Sequence, residues 1–461
     1  MMTGLSSELA DWAIGFSLDA APAEVIHNTR LRLLDVVGVM IASDSHPSVG
    51  SARRAVADAD GGGQGAHSLM DHQQTAPASA AFINGVAAAV LEFDDTHLST
   101  NIHATCVVAA AALPIAQAGS MSGRALLEAV LVGSEIVCRL GQVTPVRMHE
   151  MGFHPTSVYG VFAATYAVAR LRGLPRQQMA DAVGTAASLS SGSIASFEDG
   201  TSTKTMHVGF AAAAALRAVA LAKHCISGPG KVFEGRFGWY RSHVQAAESF
   251  DFDALTRELG MRWELLNIAP KLYPCAYTLM PFIAAALALR EQHGIDPAAV
   301  REIRCEIMPR SFRTVCEPVE DKRRPRTSWH GRISLQHTVA EALALGRFDK
   351  SAYAEASLRD PVINALADKV IYLPDPIAAT DTSRSRGVVT VEMLDGRVFS
   401  HTVEDMLGTA RNPAGEAVYI EKFRANVDGV IAAGQADRLI DGLLRIDQIP
   451  DVETLLAPLR R

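Results

Sequence analysis

Residues 91–106 read LEFDDTHLSTNIHATC. Three carboxylates (Glu92, Asp94, Asp95), a threonine (Thr96) and two histidines (His97, His103) crowd into one short segment between apolar, alanine-rich runs. Three chemistries fit these residue types. Carboxylates spaced Glu-x-Asp-Asp can hold Mg²⁺, which would suit a Mg-dependent, all-helical enzyme acting on prenyl diphosphates. Such a site needs a second acidic helix and a basic clamp, and the other dense acidic patch, CEPVED at 316–321, stands far along the chain. Proton transfer is the second chemistry, with a histidine as acid or base. A polar loop is the third, with Asn101 capping the helix that follows. Capping accounts for Asn101 but not for so many acidic, hydroxyl and imidazole groups together.

Four further segments carry groups of matching chemistry. In MGFHPTSVYG (151–160), His154 precedes Pro155, which suits the first helical position and puts the histidine at a helix N-terminus. In FEDGTSTKTMH (197–207), a Gly/Ser/Thr loop runs into an apolar helix, with Lys204 and His207 one turn apart. A lysine entering a buried helix needs an anion, either a ligand carboxylate or Glu198 or Asp199. In IAPKLYPCAYT (268–278), Lys271 stands where the texture of the chain changes. In RPRTSWHGR (324–332), Arg326, His330 and Arg332 precede an apolar helix and could close over an anion or form a solvated basic loop. Together these groups suit a small polycarboxylate and proton transfer at carbon.

Composition bounds the rest. The 461 residues are 48% hydrophobic and 20% charged, with a formal charge of −7, so a folded protein of two domains is expected and a basic stripe for nucleic acid is lacking. The six cysteines are scattered without a CxxC pair, which argues against a disulfide framework or structural zinc. The opening MMTGLSSELADWAIGF has no basic leader pattern. CVVAAAALPIAQAG is short and interrupted by Pro114, so no membrane span is expected, and a reducing cytoplasm is the default location. GGGQGAHS (61–68) lacks the Lys-Ser/Thr of a phosphate loop and reads as a turn.

These groups must be positioned by helices over most of the chain. Apolar residues recur at helical spacing in 21–42, 78–91, 104–119, 124–142, 156–171, 176–190 and 205–225. After Pro270, REIRCEIMP and DKVIYLPD alternate like strands, and GVVTVEMLDGRVFSHTV reads as a hairpin with a type I′ turn at Asp395-Gly396. Helices are expected at 277–293 and 333–345, and again at 415–433 and 435–443. The expected fold is mainly α: a large all-helical domain (1–265 and 405–461) with a smaller α+β lid domain (266–404) and an active-site cleft between them.

The motifs NGVAAAVLEFDDTH, FHPTSVYGVFAAT, GTSTKTMHVGFAAAAAL, KLYPC and RISLQHTVAEAL, in this order over nearly the whole chain, resemble the MmgE/PrpD family. That family includes 2-methylcitrate dehydratases, cis-aconitate decarboxylases and iminodisuccinate epimerase. The resemblance implies a homodimeric enzyme without metal or organic cofactor, acting on a small anionic carboxylate. The dehydratase-like lyase is the first expectation; an epimerase or decarboxylase is the alternative. It further implies that His103 and His154 move protons and that Lys204 and Lys271 hold substrate carboxylates. Glu92, Asp94, Asp95, Thr96, His207, Tyr277, Arg326 and His330 are the remaining candidates for binding substrate. Three departures stand out. The family commonly has aspartate where Glu92 stands, proline where Ala104 stands, and a histidine near Tyr277.

Overall fold

The computed structural model describes residues 4–60, 63–245, 249–381 and 384–461. The first three residues of the N-terminal stretch, and Gly61 and Gly62 of the glycine-rich run, lie outside them. The protein is mainly helical. Its buried apolar side chains form two clusters, one built from Leu9–Ile268 together with Tyr419–Leu459, the other from Cys275–Met406.

The first cluster surrounds the helix Pro155–Leu171, whose neighbours are Ala104–Ala118, Gly123–Gln142 and His207–Lys223. Almost every side chain of that central helix is buried, as its Ala, Gly and Val content allows. The helices Pro77–Ala89 and His207–Lys223 also pack together. They touch at Gly85 and Gly209, where a Cβ on Gly85 would lie 2.5 Å from the Gly209 Cα. Only a pair of glycines permits that approach. Near the C-terminus, Glu416–Val427 returns to pack on Ala23–Ala42.

Two features differ from sequence expectation in this half. Pro114 does not interrupt its helix; it sits inside Ala104–Ala118. The stretch Ser202–Lys223 is long and apolar enough to cross a membrane by length and composition, yet most of it is buried against neighbouring helices. Its apolarity is that of a core helix.

The second cluster centres on a four-stranded sheet. β3 (Val300–Ile307) pairs parallel with β4 (Val370–Pro374) and antiparallel with β5 (Gly387–Met393), which pairs with β6 (Val398–Val403). Met280–His293 and Leu335–Leu345 cover one face. The β5–β6 turn is not type I′, which needs positive φ at two successive residues. Gly396 alone has positive φ there (88°), and Met393 N–H donates to Arg397 O at 2.8 Å across a four-residue loop.

A second, two-stranded sheet decides the position of the site. β1 (Thr96–His97) pairs with β2 (Ile268–Ala269), with Thr96 opposite Ala269. This pairing brings Lys271 against the acid-rich segment, 179 residues earlier at Glu92. Arg332 fastens the same junction from the second cluster, donating to Leu91 O and Pro274 O at 2.7 Å each. All six cysteines are free thiols, and only Cys225 is exposed.

Candidate active site

The acid-rich segment is a turn between Pro77–Ala89 and Ala104–Ala118, and almost all of it is buried. Its carboxylates have separate partners. Asp95 accepts from Thr105 N–H at 3.1 Å and from the Thr105 hydroxyl at 2.5 Å, and faces Arg32 at 3.7 Å. It therefore serves the N-terminus of Ala104–Ala118, the task sequence reading gives to Asn101. Asn101 instead adopts a left-handed φ of 56° and lines the cavity. Asp94 points elsewhere, 3.7 Å from both Lys271 Nζ and His103 Nδ1. The Asp94-Asp95 pair thus presents no shared face to Mg²⁺, which removes the basis for prenyl-diphosphate chemistry.

Glu92 is the hub. Its backbone is left-handed (φ 52°), an uncommon state for a residue with a side chain. Lys204 Nζ donates to Oε1, and Lys271 Nζ donates to Oε2 at 2.9 Å. Lys204 pairs here, and not with Glu198 or Asp199, because the turn Ser202–Met206 ahead of His207–Lys223 aims it at the end of Pro77–Ala89. Burial pushes both ammonium groups down from their ordinary pKa; Lys271 adds to the effect on Lys204, while Asp94 opposes it at Lys271.

His103 is the N-cap residue of Ala104–Ala118. Its Nδ1 lies 2.9 Å from Asp95 O, an atom that can only accept, and 3.1 Å from Thr96 Oγ1. Nδ1 therefore carries the proton and Nε2 the lone pair. Burial holds the imidazole below its usual pKa, against the pull of Asp94. His154 occupies the corresponding N-cap of Pro155–Leu171, with its ring centroid 5.9 Å from that of His103. Its Nδ1 meets His207 Nδ1 at 3.2 Å, and its buried Nε2 has no hydrogen-bond partner among the described residues. Burial, then His207, pushes His154 well down; burial, then Lys204, takes His207 to about 4. Both rings at the cavity are neutral at neutral pH.

These groups border a cavity of about 240 Å³. Glu92, Thr96, His103, His154, Lys204 and Tyr277 line it directly. Lys271, Asp94 and His207 stand behind this wall in contact with lining residues, and Asp95 is engaged in the helix terminus. Arg326 and His330 do not reach the cavity. Arg326 is exposed and pairs with Asp321 at 3.1 Å. His330 is buried beneath Gly200, whose Cβ, if it had one, would meet the ring. Burial takes His330 to about 4. Arg332 spends its donors on carbonyls.

Sequence reading missed the opposite wall. Arg310 follows β3, while Arg384 and Arg386 precede β5. Cations at strand ends facing a domain junction, as in SRSRG, were the available signal. Phe197 also lines the cavity and stacks on Trp329, centroids 5.2 Å apart.

Glu92, Asp94 and His103 each offer a ligand atom within 4.8 Å of the others, a donor set chemically suited to a divalent cation. The fit is poor on charge: both Glu92 oxygens already accept from ammonium groups. A divalent ion would sit against two like charges in a buried wall.

Two neutral histidines and Lys204 line one cavity, with Lys271 behind them, a set of groups whose chemistry suits proton transfer near an anion. Residues 7–250 match the MmgE/PrpD N-terminal domain and residues 273–448 the MmgE/PrpD C-terminal domain. The chain belongs to the MmgE/PrpD family. It is 25% identical to the cis-aconitate decarboxylase-like protein oryM of Aspergillus oryzae, over 98% of this chain and 96% of the relative. It is 24% identical to cis-aconitate decarboxylase of Aspergillus terreus, over 98% and 95%. A 2-methylcitrate dehydratase of Salmonella typhimurium is 29% identical over 64% of this chain and 62% of the relative.

Proposed function

We propose that this protein is a lyase acting on a small di- or tricarboxylic acid, and that it removes a proton from a carbon beside a carboxylate without a resident metal or organic cofactor. The observation carrying this reading is the fixed tautomer of His103: Nδ1–H is held by Asp95 O, so Nε2 is the basic atom. Depressed basicity keeps it unprotonated at neutral pH. Lys204, with Lys271 behind it, supplies positive charge where negative charge develops on the substrate carboxylate. His154, whose Nε2 has no hydrogen-bond partner among the described residues, is the second proton-handling group. Elimination of a β-hydroxyl balances when the proton that His103 takes from carbon leaves with the hydroxyl as water, handed over directly or by way of His154. A decarboxylase is the second reading, favoured by the relatives of that name that match along 98% of the chain.

The deciding experiment is a substrate panel of hydroxy and unsaturated di- and tricarboxylates, followed by proton NMR in deuterium oxide. Loss of water marks the dehydratase and loss of carbon dioxide the decarboxylase. Solvent deuterium entering without net conversion would replace both with an epimerase. Activity that survives exhaustive chelation is expected; restoration by Mg²⁺ after chelation would defeat the metal-free reading. A cytoplasmic homodimer completes the proposal, with sedimentation analysis as the check on the dimer.

A further inference from the structure

The wall opposite the histidines presents positive charge to the cavity. Arg310, Arg384 and Arg386 line it, and among the described residues the lining carboxylates are Glu92 and Glu150. Glu92 is held by Lys204 and Lys271, and Glu150 pairs with Arg147 at 2.8 Å while offsetting the burial of Arg310. Arg384 pairs with Asp381 at 3.3 Å and with Glu404 at 3.2 Å. Arg386 pairs with Asp375 and, at 3.0 Å, with Glu404. These three acids fix the guanidinium groups without lining the cavity themselves. Arg386 is nearly buried and anchors the segment. Arg384 meets its acids through Nε and Nη1, so Nη2 is the end of the fork that neither acid occupies.

Tyr277 adds an independent observation. It lines the same cavity, and its hydroxyl is buried without a hydrogen-bond partner among the described residues. Burial pushes the phenol above its ordinary pKa, so it keeps its proton and stays a donor. The Ser385 side chain is close enough to oppose that shift, without the alignment of a hydrogen bond. Ser385 stands between Arg384 and Arg386 in the chain, so phenol and arginines share one wall. A buried hydroxyl without a partner is uncommon, and a ligand oxygen would satisfy it.

We propose that this wall is the subsite for a second carboxylate of the substrate, with Arg310 and Arg384 as its charged donors and Tyr277 Oη as its neutral donor. The proposal rests on the carboxylate-pocket reading above. Lys204 and the histidines take the end of the molecule that reacts, and the arginine wall takes the other end. A guanidinium stays charged and matches a carboxylate in shape. An acid with one carboxylate leaves the Tyr277 hydroxyl and the arginines without that partner; acids with two or three fill the subsite.

Butyrate and succinate, which differ by one carboxylate on the same carbon chain, test this by calorimetric titration at neutral pH into the wild type, Arg310→Gln and Tyr277→Phe. The wild type is expected to bind succinate about tenfold or more tighter than butyrate, as charged hydrogen bonds allow. Arg310→Gln should weaken succinate about tenfold and Tyr277→Phe about threefold, with butyrate little changed in either. Equal binding of the two acids by the wild type overturns the proposal, whether or not the variants fold. Folded variants that keep the wild-type ratio of the two acids overturn it too, while leaving the carboxylate pocket standing. Binding of neither acid to the wild type removes the pocket reading and this inference together.

Discussion

His103 and its neighbours show how one hydrogen bond selects a chemical role. The Asp95 carbonyl fixes the proton on Nδ1, and the same fold buries the ring so that it resists a second proton. Replacing His103 with glutamine is expected to lower kcat by about 10²-fold or more, the usual contribution of a positioned base, with the melting temperature little changed. Protonation removes the base, so kcat/KM should fall on the acid side, with the limb lying below the ordinary histidine value of 6.5. An acid limb above 6.5 would show that another group is titrating. Lys271 is fully buried between Glu92 and Asp94. Lys271→Met leaves these carboxylates with less compensation and should cost about 3 kcal/mol in urea unfolding. The identities of these residues were legible in the sequence because His, Lys and Glu carry chemistry by type. Their division of labour was not: adjacent Asp94 and Asp95 differ only in what the folded chain places opposite each.

At the scale of elements, the crossing of Pro77–Ala89 with His207–Lys223 sets the distance between Glu92, which follows the first helix, and Lys204, which precedes the second. Gly85→Ala would drive a methyl into the Gly209 backbone. The expected result is a loss of about 1–3 kcal/mol, accompanied by reduced turnover because the helix ends move apart. Normal activity in a destabilised Gly85→Ala would show that the Glu92–Lys204 contact tolerates the shift. The helices themselves were visible as apolar periodicity, since alanine-rich faces repeat at helical spacing. The strand pairing of Thr96–His97 with Ile268–Ala269 was not. Two residues carry no alternation to detect, and a long-range register leaves no local mark. Pro114 misled for a related reason, because neighbouring helices hold Ala104–Ala118 together around it.

Across the whole molecule, buried histidines tie stability to acidity. His207 and His330 are both held at about 4 by burial. The unfolded chain binds their protons near pH 6.5 and the folded chain does not. Their stabilising contribution is present above 6.5 and is lost as pH falls toward 4. Thermal melts should therefore shift to lower temperature across that window; a flat profile would contradict the burial of these rings. The opposing arginine wall was hidden in the sequence for a similar global reason: Arg310 and Arg384 come together only through the sheet order β4-β3-β5-β6. The exposure of Cys225 alone among six free thiols has a practical consequence. One maleimide dye should couple to the native protein and six to the denatured chain, so mass spectrometry after a brief labelling pulse counts how far each molecule has opened.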